Sequence, residues 1–237
     1  MNVKYLSALA AAALVISSSA WADVVINSTR VIYKESAKEV NVRLTNEGTR
    51  PLLVQSWLDD GRATESPENI DLPFLITPPV SRIDAKKGQT LRIAKMENSL
   101  PKDRESIYYL NVLEVPPKAK STGEAGSGNK LQMAFRTRIK MFYRPDGLTV
   151  KPQDAAAKVE WRAENGALVA TNNSPYYLTF SMMDVNGSKA KSGMVAPQKT
   201  EKFYFDNKLF KPAVGSKLTY SYISDYGNDV EGTAVIK

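Results

Sequence analysis

The sequence predicts an all-β protein of two successive sandwich domains, and three observations carry that prediction. Apolar and polar residues alternate in short runs such as Val40-Asn41-Val42-Arg43-Leu44 and Leu52-Leu53-Val54-Gln55-Ser56-Trp57, which is the two-residue period of half-buried strands. Turn pairs punctuate these runs at Asp60-Gly61, Asp146-Gly147, Asn165-Gly166 and Asn186-Gly187. Long amphipathic helical repeats are missing, and the one helix-leaning stretch lies near Asp154 to Ala157. Short strands at this spacing, in two sets, are the pattern of immunoglobulin-like sandwiches.

Taken in chain order, residues 1–22 read as a secretory leader. Lys4 precedes an apolar run over residues 6–16, followed by Ser17-Ser18-Ser19 and the small-residue site Ala20-Trp21-Ala22. This is the layout of a signal peptide cleaved before Asp23, and it predicts an exported chain. The apolar core is too short to span a bilayer, and no other segment approaches about 18 uninterrupted apolar residues. What remains, about 215 residues, accommodates two domains of roughly 100 residues each. The first is expected over residues 23–144 and the second over 145–237, because the strand pattern stops at Arg144-Pro145-Asp146-Gly147, a proline followed by a turn pair. Asn165-Gly166 and Asn186-Gly187 lie between plausible strands and predict tight hairpins over 161–169 and 182–189. Residues 116–130 are polar and rich in Gly and Ser, the composition of a loop.

Composition narrows the function. The chain contains no histidine and no cysteine. That removes the commonest general base, the usual metal ligand and every Ser-His or Cys-His nucleophile. Ser-Lys or paired-carboxylate chemistry stays formally open, but no catalytic residue, metal or cofactor is assigned. Asp184-Val185-Asn186-Gly187-Ser188 begins like a calcium loop, yet its twelfth position is Val195 in place of Glu; a hairpin turn explains it better. An exported chain without cysteine must rest on packing alone. The formal charge of +7 permits nucleic-acid binding, but the basic residues are scattered and export separates the chain from nucleic acid, so no nucleic-acid partner is expected.

One segment stands apart. Over residues 131–144, a strict alternation places Leu131, Met133, Phe135, Ile139 and Met141 on one face and Gln132, Arg136, Arg138 and Lys140 on the other. Fully extended, it would run on the order of 45 Å, against about 17 to 20 Å for a typical strand. A strand that long is hard to house in one sandwich. Its N-terminal part is expected to project as an apolar edge open to another chain; an ordinary core strand is the competing reading.

Several ordered stretches give the chain a specific resemblance: Thr29-Arg30-Val31-Ile32-Tyr33, Pro51 to Trp57, Pro73-Phe74, Pro78-Pro79, Gln89 to Ile93, Leu100-Pro101-Lys102-Asp103-Arg104-Glu105-Ser106, Tyr109-Leu110-Asn111-Val112, and Arg138-Ile139-Lys140-Met141-Phe142-Tyr143-Arg144-Pro145. The second half adds Asn173-Ser174-Pro175-Tyr176-Tyr177 and Asp225-Tyr226-Gly227. Over essentially all of its length after the leader, the chain resembles the PapD-like periplasmic pilus chaperones.

The resemblance implies two immunoglobulin-like domains in an L or boomerang arrangement, and a function without catalysis. Pilus subunits would be held by donor-strand complementation and passed to an outer-membrane usher. By motif position, Arg30 and Lys140 would grip the subunit's C-terminal carboxylate; Leu131, Met133 and Phe135 would fill the groove of the incomplete subunit; and Glu105, Arg144 and Asp225 would form an ion network fixing the domains. The same edge would leave the free chain open to self-association. The lack of cysteines flanking the loop before Leu131 resembles the short-loop subclass, although the loop is fairly long. The competing readings are an exported pilus subunit or adhesin, which would carry an alternating N-terminal extension, and an enzyme.

Overall fold

A computed structural model of the protein describes residues 23–96, 100–115 and 133–237. The predicted leader therefore lies outside the described residues, as do the loop of residues 116–130 and Leu131. No helix among the described residues is long and apolar enough to cross a membrane.

The first domain is a sandwich of two sheets. One sheet orders β1 (Val24–Ile26), β3 (Glu39–Asn46), β7 (Gly88–Lys95) and β5 (Phe74–Thr77). The other orders β2 (Arg30–Lys34), β9 (Arg136–Arg144), β8 (Ser106–Val115), β4 (Leu52–Asp59) and β6 (Val80–Ile83). The period of two decides which residues meet between them: in β4, Leu52, Val54, Ser56 and Leu58 are buried while Leu53, Gln55 and Trp57 are not. Val42, Leu44, Leu91, Ile93, Leu110 and Met141 complete the core. At one end Tyr33, Phe74, Tyr108 and Tyr143 pack ring against ring, with Phe74 edge-on to Tyr33 at 5.4 Å and to Tyr108 at 4.9 Å. Such pairs add about 0.5–1.5 kcal/mol beyond their buried area.

The second domain repeats the principle. Strands β10 (Glu160–Glu164), β11 (Ala167–Asn172) and β15 (Lys199–Tyr204) form one sheet. Strands β13 (Ser188–Ala190), β12 (Leu178–Val185), β16 (Lys217–Ile223) and β17 (Asp229–Val235) form the other, with β14 (Gly193–Val195) also on β12. Trp161, Phe180, Phe203 and Tyr220 cluster between them. Both predicted hairpins are present, closing on the pairs Glu164↔Ala167 and Val185↔Ser188. In each, the Asn and Gly take positive φ (51° and 78°; 52° and 82°), the backbone of a two-residue turn that Asn-Gly tolerates best. The helix-leaning stretch is a single turn at Pro152–Ala155 continued as 3-10 helix over Ala156–Lys158.

One expectation needs correction. Among the described residues of the alternating run, β9 begins only at Arg136, opposite Leu113 of β8, and residues 133–135 precede it outside the strand; Leu131 and Gln132 lie outside the described residues. A single further bond, from the Glu114 N–H to the Phe135 carbonyl at 2.8 Å, precedes β9. On its other side β9 pairs in parallel with β2, and that pairing starts only at Arg30↔Lys140. Residues 136–139 are therefore bonded to β8 alone and leave one edge open among the described residues.

Candidate functional site

Two groups of cations lie along β9, four residues apart and in different electrostatic states. The first is Arg30 and Lys140. As register partners on adjacent parallel strands, their side chains leave the sheet on the same face. Neither forms a salt bridge among the described residues. The Arg30 guanidinium donates to the Ile223 carbonyl of the second domain at 3.1 Å and stands 5.6 Å from the Phe142 ring centre, while its buried Nε has no partner. Burial lowers the pKa of Arg30, opposed by the charges of Asp225 and Glu105. Burial also lowers the pKa of Lys140, helped by the neighbouring charge of Arg30. Two half-buried cations side by side raise each other's energy, and an anion between them would relieve both.

The second group is saturated. Arg144 Nε donates to Glu105 at 2.7 Å, and its two terminal nitrogens donate to Asp225 at 2.6 and 2.7 Å. The other Glu105 oxygen accepts the Tyr177 N–H at 2.9 Å. The guanidinium lies 5.0 Å from the Tyr176 ring centre. Burial opposes the charge on Arg144, but the bonds to Asp225 and Glu105 outweigh it and raise its pKa. Burial pushes the Glu105 carboxyl up, with Arg144 acting against that shift.

These contacts join the domains. Glu105 and Arg144 belong to the first and Asp225 to the second; Phe142 and Tyr177 pack across the junction at 5.7 Å. Gly227 closes it: with φ at +85°, its position leaves no room for a Cβ beside the Thr29 hydroxyl. The junction borders a cavity of about 370 Å³ lined in part by Arg30, Phe142, Arg144, Tyr177 and Asp225. Lys140 lies outside that lining, on the strand leading from the cavity to the open edge.

Met133 and Phe135 precede β9 and are 56% and 36% exposed. Each is large and apolar, and neither belongs to the core of its own domain. A third ionic group was not anticipated. Asp59, only 1% exposed, accepts from Arg138 Nε at 2.8 Å, from Asn111 at 2.7 Å and from the Gly61 N–H at 2.7 Å. The Arg138 guanidinium is stacked 3.6 Å from the Tyr109 ring centre. Of the cations at 136, 138 and 140, the middle one is thus neutralised, and Lys140 is not.

Comparison with known proteins places this arrangement. The family described as "Pili and flagellar-assembly chaperone, PapD N-terminal domain" matches residues 23–149, and "Pili assembly chaperone PapD, C-terminal domain" matches residues 154–234. The chain is 47% identical over 243 residues to the probable fimbrial chaperone YadV of Escherichia coli K12, covering 98% of each chain. It is 43% identical over 220 residues to the chaperone protein MrkB of Klebsiella pneumoniae, covering 91% of this chain and 92% of MrkB. The crystal structure of the YadV chaperone superposes with a TM-score of 0.78 at 44% identity, over 91% of this chain and all of that one. The SafB chaperone of Salmonella enterica, solved in complex with the SafA pilin, gives a TM-score of 0.78 at 25% identity, over 92% and 99% of the two chains. With both of its domains matched, the chain belongs to the PapD-like pilus chaperone family.

Proposed function

We propose that this chain is a periplasmic chaperone, not an enzyme, that holds fimbrial subunits by lending them a strand and hands them to an outer-membrane usher. Its two domains divide near Arg144-Pro145, and a cleaved leader delivers it to the periplasm. One observation carries the reading: the neighbouring cations Arg30 and Lys140, without a salt-bridge partner among the described residues, stand where the open edge of β9 begins. A guanidinium offers a carboxylate a planar fork of donors and an ammonium a compact charge, so the pair suits the C-terminal carboxylate of a bound subunit.

With the carboxylate fixed at Lys140, the subunit's last strand would run along the open edge, the strand addition known from chaperone–pilin complexes. Leu131, Met133 and Phe135 would enter its unfilled groove. Burying three such side chains is worth roughly 5–9 kcal/mol before ordering costs. Free protein presents the same edge to a second copy of itself. The bidentate bridge of Arg144 to Asp225, with Glu105 behind it, would hold the two domains while the edge is loaded.

The test is co-expression of the chaperone with a fimbrial subunit in the periplasm and recovery of the complex. Arg30→Ala and Lys140→Ala should each lose the subunit while still folding cooperatively, with Lys140→Ala melting like the parent protein. Full recovery by both variants would refute the carboxylate anchor.

A further inference from the structure

Among the described residues three carboxylates are buried: Asp59, Glu105 and Glu114, at 1%, 3% and 6% exposure. Arg138 neutralises the first and Arg144 the second. Glu114 has no salt-bridge partner among the described residues. Among the described residues its oxygens accept two main-chain N–H groups, Oε1 from Val24 and Oε2 from Asp23, both at 3.2 Å. Burial pushes this carboxyl up, the two N–H groups pull it back, and the side chain of Asp23 adds a second negative charge beside it. An ionised carboxylate at this depth is costly without a positive charge.

Asp23 is also the residue that follows the expected cleavage site. The inference rests on that reading of residues 1–22, which lie outside the described residues. Hydrolysis of the Ala22–Asp23 peptide bond adds one water, leaves a carboxylate on Ala22 and frees an amine on Asp23, which takes up a proton near neutral pH. The nitrogen 3.2 Å from Glu114 Oε2 thereby changes from a neutral amide with one hydrogen to an ammonium with three.

We propose that Glu114 is a built-in binding site for the α-ammonium that leader cleavage creates at Asp23, so that processing brings the buried acid a cation. Neighbouring residues seat Asp23. Its carbonyl accepts the Glu47 N–H at 2.7 Å, and its side chain lies against Gly48, where an added Cβ would come within 2.6 Å of the Asp23 Cγ. The next residue, Val24, is 3% exposed and starts the pairing of β1 with β3 at Val24↔Asn46. Glu114 also ties this seat to the lending edge, because its own N–H donates to the Phe135 carbonyl. One residue thus clamps the new N-terminus through its side chain and the entry to β9 through its backbone.

The experiment starts with the intact mass of protein exported to the periplasm, which must show a chain beginning at Asp23. A different first residue overturns the leader reading and this site with it. On protein that begins at Asp23, melting is compared across four forms: parent, Glu114→Gln, parent extended by Gly-Ala before Asp23, and both changes together. Each single change should lower the melting temperature by on the order of 3 °C, and the combination should lower it no further. Additive losses would overturn the pairing while leaving the leader reading intact. As a check on parent protein alone, the α-amino group should titrate at least about one pH unit above its ordinary range of about 7.7–8.0. An ordinary value would overturn the proposal even if a variant failed to fold.

Discussion

Arg144 and the pair Arg30–Lys140 occupy the same strands, four residues apart, yet one site is complete and the other is not. Around Arg144 the cation is answered within the chain by two carboxylates, and each remaining Glu105 lone pair that matters meets the Tyr177 N–H. Around Lys140 two cations meet and no anion arrives from the described residues. A saturated network rigidifies, because every partner it could recruit is already in place. An unsaturated one stores a preference for a ligand. The difference separates the part of the cleft that holds the domains from the part that we propose receives a subunit.

The sharpest way to break that contrast is to remove each site in turn and read both binding and stability. Loss of either anchor cation should weaken subunit binding by about 4 kcal/mol, roughly a thousandfold, measured as the affinity of purified chaperone for a peptide or subunit ending in a free carboxylate. Chemical denaturation should be unchanged for Lys140→Ala, which only removes a like-charged neighbour, and should shift by about 1 kcal/mol for Arg30→Ala, which also loses the bond to the Ile223 carbonyl. Glu105→Ala should do the reverse. It leaves the buried Arg144 guanidinium with two of its three acceptor oxygens and strips the Tyr177 N–H of its acceptor, a change of about 3 kcal/mol in unfolding free energy, with a smaller effect on binding at temperatures well below the melt. A Glu105 variant that melts normally but loses the subunit would move this acid from the scaffold to the anchor.

Much of this contrast was legible in the sequence, and what was not has a physical reason. The Asn-Gly hairpins follow from turn chemistry that needs no distant residue. Arg30 and Lys140 are 110 positions apart and meet only because β2 joins β9 in parallel; alternation cannot show that, and the motif resemblance supplied it. The run of alternation reaches further toward the N-terminus than β9, which begins at Arg136, because side-chain parity does not record whether the backbone is paired. Asp60-Gly61 reads as a turn pair, but the burial of the preceding Asp59 against Arg138, 79 residues away, has no local signal. Glu114 was readable: it shares the inward parity of Leu110 and Val112, and a carboxylate at a core position is a signal in its own right.

The smallest expected effect is also the one that most directly tests whether Lys140 waits for an anion. Its ammonium has a pKa below the ordinary 10.5, from burial and from the charge of Arg30. A bound carboxylate opposes both causes and pulls that pKa back up. Between the free and the bound value, binding therefore takes up a proton, and affinity should fall as pH rises through Lys140's depressed pKa, by at most about tenfold per pH unit. The stability of the free protein should move the other way. In the window below 10.5 the unfolded chain binds the proton that folded Lys140 has released, so this residue's contribution to folding rises with pH. Lys140→Arg carries a cation that does not titrate in this range, so a variant that still binds should lose the alkaline fall. If parent protein showed no such fall, or if affinity and stability moved together, Lys140 would be a solvated surface lysine and the pair would not be the receiving site.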